Sequence, residues 1–305
     1  MGADSEIIDV VMCTWNSHRP WFRKCLFSIK REIPVHQFIL VDRYSSDETV
    51  NVVRSVFPNA IVIQTKANLA VARKIGIEHV DTRYFAFVDD DVELCKGWFT
   101  KLLSILKRGR RVGAVSGFTR YFVGCLDKIA VFQLRRRRTA IQEITGRGLT
   151  HNTILLTKLI KDFKPPTMVH SWEDYLLTQH VIAKGYRWVE ASYAYITHYM
   201  NAPSSAREGF LSVIWKEFER AKWDGSGARL VQAYTLPSFL FNVVKNFFYG
   251  LVVMVFSRDP RTLVVMITMS FGLLKGFLCF KENIIPSKLR LGRIQDTPLV
   301  VRKTL

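Results

Sequence analysis

Asp89, Asp90 and Asp91 follow directly on the apolar run Tyr84-Phe-Ala-Phe-Val88. Three neighbouring aspartates cannot all ionise without a counter-charge. They form either a solvated turn or a holder for a divalent cation, which takes hard carboxylate oxygens. An acidic turn rarely follows a strand this apolar, and the cation is the preferred reading. Two further polar clusters stand in the same position after apolar runs. Thr14-Trp-Asn-Ser-His-Arg-Pro20 follows Ile7–Cys13, and Asp42-Arg-Tyr-Ser-Ser-Asp47 follows Phe38–Val41. Ser171-Trp-Glu-Asp-Tyr175 opens a helical pattern that ends at Ala183, with Gly185 as a stop signal.

The elements that position these residues alternate. Ile7–Cys13, Phe38–Val41, Ala60–Ile63 and Tyr84–Val88 read as buried strands. Trp21–Lys30, Glu48–Val56 and Asn68–Val80 read as the helices between them. That order predicts an α/β fold with a mostly parallel sheet flanked by helices. In such sheets ligands bind outside the carboxyl ends of the strands, which puts Asn16, Asp42 and Asp89 at one shared site. Beyond Tyr84–Val88 the pattern loosens. Val112–Phe118, Tyr121–Val123 and Arg187–Tyr195 read as strand pieces, with His198 just past the last. His151–Thr157 reads as a strand or a helix start.

The last quarter differs in composition. Arg207–Lys222 is amphipathic at helical spacing. Leu236–Phe256 and Thr262–Phe280 are long apolar stretches with one charge each, Lys245 and Lys275, joined by Ser257-Arg-Asp-Pro-Arg261. Each approaches the roughly 20 residues that span a bilayer, and a transmembrane hairpin is preferred over a buried one in a water-soluble domain. The flanking basic residues then place both ends on the cytoplasmic side of the cell membrane, with the amphipathic helix in the interface. The expected domains are 1–205, 206–235 (interfacial helix and linker), 236–280 (hairpin) and 281–305 (basic tail).

The chain of 305 residues is 49% hydrophobic and carries a net charge of +18, which excludes a disordered chain and points to an anionic partner. The charge suits nucleic acid, a phosphorylated ligand or an acidic membrane surface alike, and no nucleic-acid reading element accompanies it. Arg135–Arg138 is a solvated face or an anion contact. The five cysteines have no metal-site spacing and read as free, as in a reducing compartment. The polar start, Met1–Glu6, reads as no signal peptide.

Taken together, these motifs resemble the inverting glycosyltransferases of family 2, whose fold is GT-A, a Rossmann-like α/β arrangement. Cys13-Thr-Trp-Asn16 is similar to the family's T-Y-N loop. Val41-Asp-Arg-Tyr-Ser-Ser-Asp-Glu-Thr49 is similar to D-D-G-S-x-D-x-T, with Arg43-Tyr44 in place of Asp-Gly. Asn68-Leu-Ala-Val-Ala-Arg-Lys-Ile-Gly76 is similar to N-x-G-x-x-x-A-R-N-x-G, with Lys74 in place of Asn. Asp89–Asp91 matches D-x-D, Trp172-Glu-Asp174 the E-D pair, Gly185-Tyr-Arg187 the G-Y-R segment, and His198 a later metal-ligand histidine. With its membrane hairpin the chain also resembles small archaeal mannosyltransferases that act on lipid-linked glycans. The Q-x-x-R-W motif of processive synthases is replaced by Glu217-Phe-Glu-Arg220, which argues against polymer synthesis.

The resemblance implies a metal-dependent single displacement with inversion. Mn²⁺ or Mg²⁺ would sit on Asp91 and His198. Thr14, Asn16, Asp42, Arg73, Asp89 and Asp90 would meet the nucleotide-sugar, with GDP-mannose the favoured donor. Asp174 would be the catalytic base. Trp172 and Glu173 would face the acceptor, a lipid-linked (polyprenyl pyrophosphate) glycan, with polyprenyl phosphate as the alternative. The bland readings are a solvated arginine for Arg73, a core tryptophan for Trp172, a surface histidine for His198 and dipole-favoured helix acids for Glu173 and Asp174. A non-catalytic membrane scaffold or a nucleic-acid binder is the alternative of another class.

Overall fold

The computed structural model describes residues 6–122, 141–167, 171–199, 210–231, 233–257 and 261–279. Arg135–Arg138, residues 258–260 of the expected turn and the basic tail lie outside them. The chain divides into two compact units, the first of Met1–Phe122, Asp127–Met168 and Glu173–Met200, the second of Val123–Leu126, Val169–Trp172 and Asn201–Leu305.

The first unit holds strands β1 (Ile8–Thr14), β2 (Val35–Asp42), β3 (Ile61–Gln64), β4 (Tyr84–Val88), β5 (Val92–Leu94), β6 (Val112–Phe122), β7 (Ile141–Ile144), β8 (Asn152–Leu156) and β9 (Arg187–Tyr199). Its helices are α1 (Phe22–Glu32), α2 (Thr49–Val56), α3 (Leu69–Glu78), α4 (Trp98–Arg108) and α5 (Glu173–Ala183). One sheet runs β3-β2-β1-β4-β8-β6-β9-β5, with β7 on β9. β4 is buried at every position, as its unbroken apolar run requires. Helix α1 turns Phe22, Cys25, Leu26 and Ile29 inward at helical spacing. Helix α3 starts at Asn68, whose side chain accepts from the Val71 amide (3.1 Å). It closes on β1 at Gly76, where any Cβ would collide with the Val11 side chain.

The acid inside β1 has a structural use. Asp9 is fully buried, and its carboxylate accepts the amides of Gln37 (3.1 Å), Asp81 (2.7 Å) and Thr82 (3.1 Å) and pairs with His36 (2.9 Å). It fastens the amino ends of the strands, and the carboxyl ends carry the polar clusters.

The sheet is mixed rather than mostly parallel. β1 pairs parallel with β2 and β4, and β2 pairs parallel with β3. β8 then runs antiparallel between β4 and β6, with Asn152 opposite Val88 and Leu156 opposite Tyr84. The chain enters β8 at the end where β4 leaves, so the direction reverses. The two expected strand pieces after Val112 form the single strand β6, with a register shift against β9 between Gly117 and Phe118. β9 continues to Tyr199, so His198 lies within the strand instead of past it, opposite Val92 of β5.

The second unit contains helices α6 (Phe210–Leu230), α7 (Leu236–Ser257) and α8 (Arg261–Cys279). Gly272 and Gly276 lie one turn apart on α8 and face α6. A Cβ at either would strike a backbone carbonyl, that of Phe218 or Lys222, and a Cβ at Gly225 would strike the carbonyl of Leu273. Small residues at this spacing let two helices approach closely. Phe239 and Phe277 stack at 3.8 Å, and Lys275 lies over the Phe218 ring at 5.5 Å. Both expected hairpin helices are present. Among the described residues, however, no helix is long and apolar enough to cross a membrane. Asn242, Lys245 and Asn246 interrupt the apolar run of α7.

Candidate active site

The loops after β1 and β2 hold each other. The Asn16 amide donates to Ser45 Oγ (2.8 Å), and Asn16 Oδ1 accepts from the Ser46 amide (2.8 Å). The Ser17 amide donates to Thr49 Oγ1 (2.8 Å), and the His18 amide to Asp47 (3.0 Å). Asn16 and Tyr44 both adopt left-handed backbone, each with φ of 50°. A tyrosine holds this backbone at a steric cost that glycine would avoid. Asp42 is fully buried and saturated: it accepts from Thr14 Oγ1 (3.0 Å), Ser45 N (2.8 Å), Ser45 Oγ (2.5 Å) and Gln64 Nε2 (3.2 Å). It braces the loop. Beside it lies an open cleft of about 440 Å³ lined by Ser45, Asp47, Val50, Asn51, Arg54, Val62 and Gln64.

The acids after β4 divide their partners. Asp89 faces Arg73 Nη2 (3.2 Å). Asp91 pairs with His198 Nε2 (3.0 Å), because β5 and β9 bring residues 92 and 198 opposite each other. Burial, and then the Asp91 carboxylate beside it, push Asp90 up to about 7. Burial disfavours protonation of His198, but the Asp91 hydrogen bond and charge outweigh it and raise its pKa. His151 stacks on His198 (5.3 Å), and burial pushes it down to about 3.

A divalent cation fits this corner. Asp91 would supply a carboxylate oxygen of the kind Mg²⁺ and Mn²⁺ take, and His198 an imidazole nitrogen of the kind softer divalent ions take, and crowded carboxylates are the groups a cation relieves. Among the described residues no cluster of three or more His, Cys, Asp or Glu side chains forms a metal cage. Two protein ligands would leave the remaining positions to substrate oxygens and water.

Arg73 is buried and spans two elements. It reaches Glu173 (2.5 Å), Thr150 Oγ1 and Asp89. Sequence reasoning expected it at the nucleotide and Glu173 at the acceptor; the structure joins them to each other. Burial raises the pKa of Glu173, and Arg73 opposes that. Arg73→Met is expected to destabilise the fold by about 3–5 kcal/mol, since it leaves Glu173 buried without its cation. Urea unfolding checks this, and a loss below about 1 kcal/mol would contradict it.

Asp174 shares the first turn of α5 with Glu173. Arg147 Nε donates to both its oxygens (2.7 and 2.8 Å). Trp172 belongs to the second unit, is buried, has φ of 71° and meets Tyr234 edge-on at 5.6 Å. Of the expected site residues, the structure thus brings Thr14 to Asp42, Arg73 to Asp89 and Glu173, and Asp91 to His198.

Residues 9–164 match the family model described as Glycosyl transferase family 2. The chain belongs to that family. A crystal structure of GalNAc-T7 with UDP, GalNAc and Mn²⁺ aligns at a TM-score of 0.50 and 12% identity, over 76% of this chain and 52% of that one. The chain therefore spans about half the length of that enzyme, and the likeness is one of fold. A crystal structure of a mycobacterial protein aligns at a TM-score of 0.48 and 17% identity, over 73% of this chain and 75% of that one. A comparison with curated proteins finds no match.

In this family 2 glycosyltransferase the matched region contains Thr14, Asn16, Asp42, Arg73 and Asp89–Asp91, and ends before Trp172–Asp174 and His198. Two residues that touch the candidate site residues, His151 on His198 and Arg147 on Asp174, are not singled out by sequence reasoning. His151 reads only as the start of a strand or of a helix, and Arg147 only as the middle of a Gly-Arg-Gly turn. Their roles depend on β8 and α5 packing beside β4, which local pattern does not encode. A third feature has no signal in the sequence: Lys24 donates to Tyr199 (2.8 Å) and pairs with Glu93 (3.0 Å), tying α1 to the end of β9 next to His198.

Proposed function

We propose that this glycosyltransferase is metal-dependent and inverting, and moves a hexose from a nucleoside diphosphate donor to a lipid-linked acceptor at a membrane surface. The observation that carries the reading is the Asp91–His198 pair, 3.0 Å apart at the carboxyl end of the sheet. A divalent cation held there offsets the charge that gathers on the departing diphosphate. The acceptor hydroxyl oxygen attacks the anomeric carbon from the face opposite the diphosphate. The carbon–oxygen bond to the diphosphate breaks, its electron pair leaves with the nucleotide, and the hydroxyl proton passes to Asp174.

The donor favoured here, GDP-mannose, rests on resemblance to small archaeal mannosyltransferases. The membrane reading rests on the second unit. Leu211, Trp215, Phe241, Phe248, Phe271 and Leu278 are each at least 60% exposed, and side chains of this size suit a bilayer interface. The net charge of +18 adds attraction to anionic headgroups.

The test is nucleotide release from GDP-mannose, GDP-glucose, UDP-glucose and UDP-N-acetylglucosamine. Each is run with Mn²⁺ or Mg²⁺, and with a polyprenyl pyrophosphate glycan or a polyprenyl phosphate in vesicles. Release that needs both metal and acceptor is expected from one donor class. Release at full rate in excess chelator, or from no donor, would sink the proposal.

A further inference from the structure

Trp172 stands directly before the two acids of α5, and its backbone is left-handed, with φ of 71°. A bulky side chain rarely holds that conformation, and it persists only where the surroundings impose it. Capping does not explain the residue: the position before a helix calls for an acceptor oxygen, and an indole has only a donor. Packing does explain it. The ring is 6% exposed and meets Tyr234 edge-on at 5.6 Å. Tyr234 lies against Phe239 at 6.2 Å, and Phe239 stacks on Phe277 of α8 at 3.8 Å. Helix α6 closes on the same segment. Ser171 Oγ donates to the Trp223 carbonyl (3.0 Å), and a Cβ at Gly227 would fall 2.6 Å from Ser171 Oγ and 2.8 Å from Trp172 Cδ1. α6 is fixed to α8 in turn, where Ser226 Oγ reaches the Gly276 carbonyl (3.2 Å).

These contacts all lie within the second unit, and Glu173, one peptide bond on, belongs to the first. The amides of a helix's first turn have no acceptor inside the helix, so its own ladder does not fix where that turn points. The residue before it does. We propose that Trp172 is a positioning residue: clamped by α6, Tyr234 and the rings behind it, it sets the direction in which α5 starts, and so the place of the Asp174 carboxylate. The inference rests on the reading of Asp174 as the base. Trp172 acts through its neighbours in the chain and touches no reacting atom. Because packing imposes the left-handed backbone, loosening that packing lets the junction relax, and the carboxylate moves with it.

The deciding measurement is the Arg147 Nε–H resonance in the ¹⁵N-labelled full chain, assigned by its loss in Arg147→Lys and calibrated by its shift in Asp174→Asn. Arg147 Nε donates to both Asp174 oxygens (2.7 and 2.8 Å), so the resonance reads the carboxylate's place with no turnover. Gly227→Ala adds one methyl against Trp172 on a helix that alanine favours, and Trp172→Ala removes the ring. Both are expected to shift the resonance and to lower kcat tenfold or more, with donor and acceptor KM unchanged. Trp172→Phe keeps a ring against Tyr234 and is expected to restore the resonance and most of the rate. Should Trp172→Ala fail to fold, Gly227→Ala and Tyr234→Leu carry the test. A resonance unmoved in the folded variants would overturn the proposal. So would a raised acceptor KM at constant kcat, which marks Trp172 as an acceptor contact. A shifted resonance with kcat unchanged keeps the positioning and sinks the reading of Asp174 as the base.

Discussion

Asp174→Asn lowers sugar transfer by about 10²–10⁴-fold while donor affinity holds, the range expected for losing a general base. The amide keeps the size of the side chain and still accepts one hydrogen bond from Arg147, so the first turn of α5 keeps its shape. What it lacks is the capacity to take a proton. Glu173 cannot substitute, because it is buried against Arg73 at 2.5 Å and points elsewhere around the helix. Steady-state rates with donor binding by calorimetry make the distinction. If turnover held and donor affinity fell, Asp174 would be a binding residue and the base would lie elsewhere.

Asp91→Ala should reduce turnover by about 10³-fold or more, since a metal contributes several kcal/mol of charge stabilisation to the transition state. Excess chelator should do the same to the unmutated enzyme, with recovery on adding Mn²⁺ or Mg²⁺, and the variant should not recover at those concentrations. Electron paramagnetic resonance of Mn²⁺ gives a second readout that needs no activity: the variant should bind the ion at least tenfold more weakly. Equal Mn²⁺ affinity in both proteins would show that Asp91 is not a ligand.

Much of this was readable from residue order. The apolar runs that became β2 and β4 are unbroken and that of β1 holds a single acid, short runs that suit buried strands, and the polar clusters after them fall at one end of the sheet. The Asp89–Asp91 group announced itself because burial and like charge conflict there. The direction of β8 was not readable, since an apolar run looks the same whichever way it pairs. The extent of β9 was hidden for another reason: Thr197, His198 and Tyr199 are all half-buried, so the alternation stops before the strand does. Arg73 shows a different limit. Its guanidinium suits phosphate and carboxylate alike, and only the fold decides that Glu173 and Asp89 reach it. Tyr44 shows the converse, a left-handed turn at a residue whose type does not announce one.

The mutual grip of the loops after β1 and β2 bears on the thermodynamics of recognition. Asn16, Ser45, Ser46, Asp47 and Thr49 are tied together by side chains of the chain itself, so the entropy of ordering these loops is lost during folding and not on ligand arrival. Any ligand entering the neighbouring cleft meets a surface already in shape, where few rotamers remain to be frozen. Its heat-capacity change then reflects only the area it covers, and stays well below that of a loop folding around its guest.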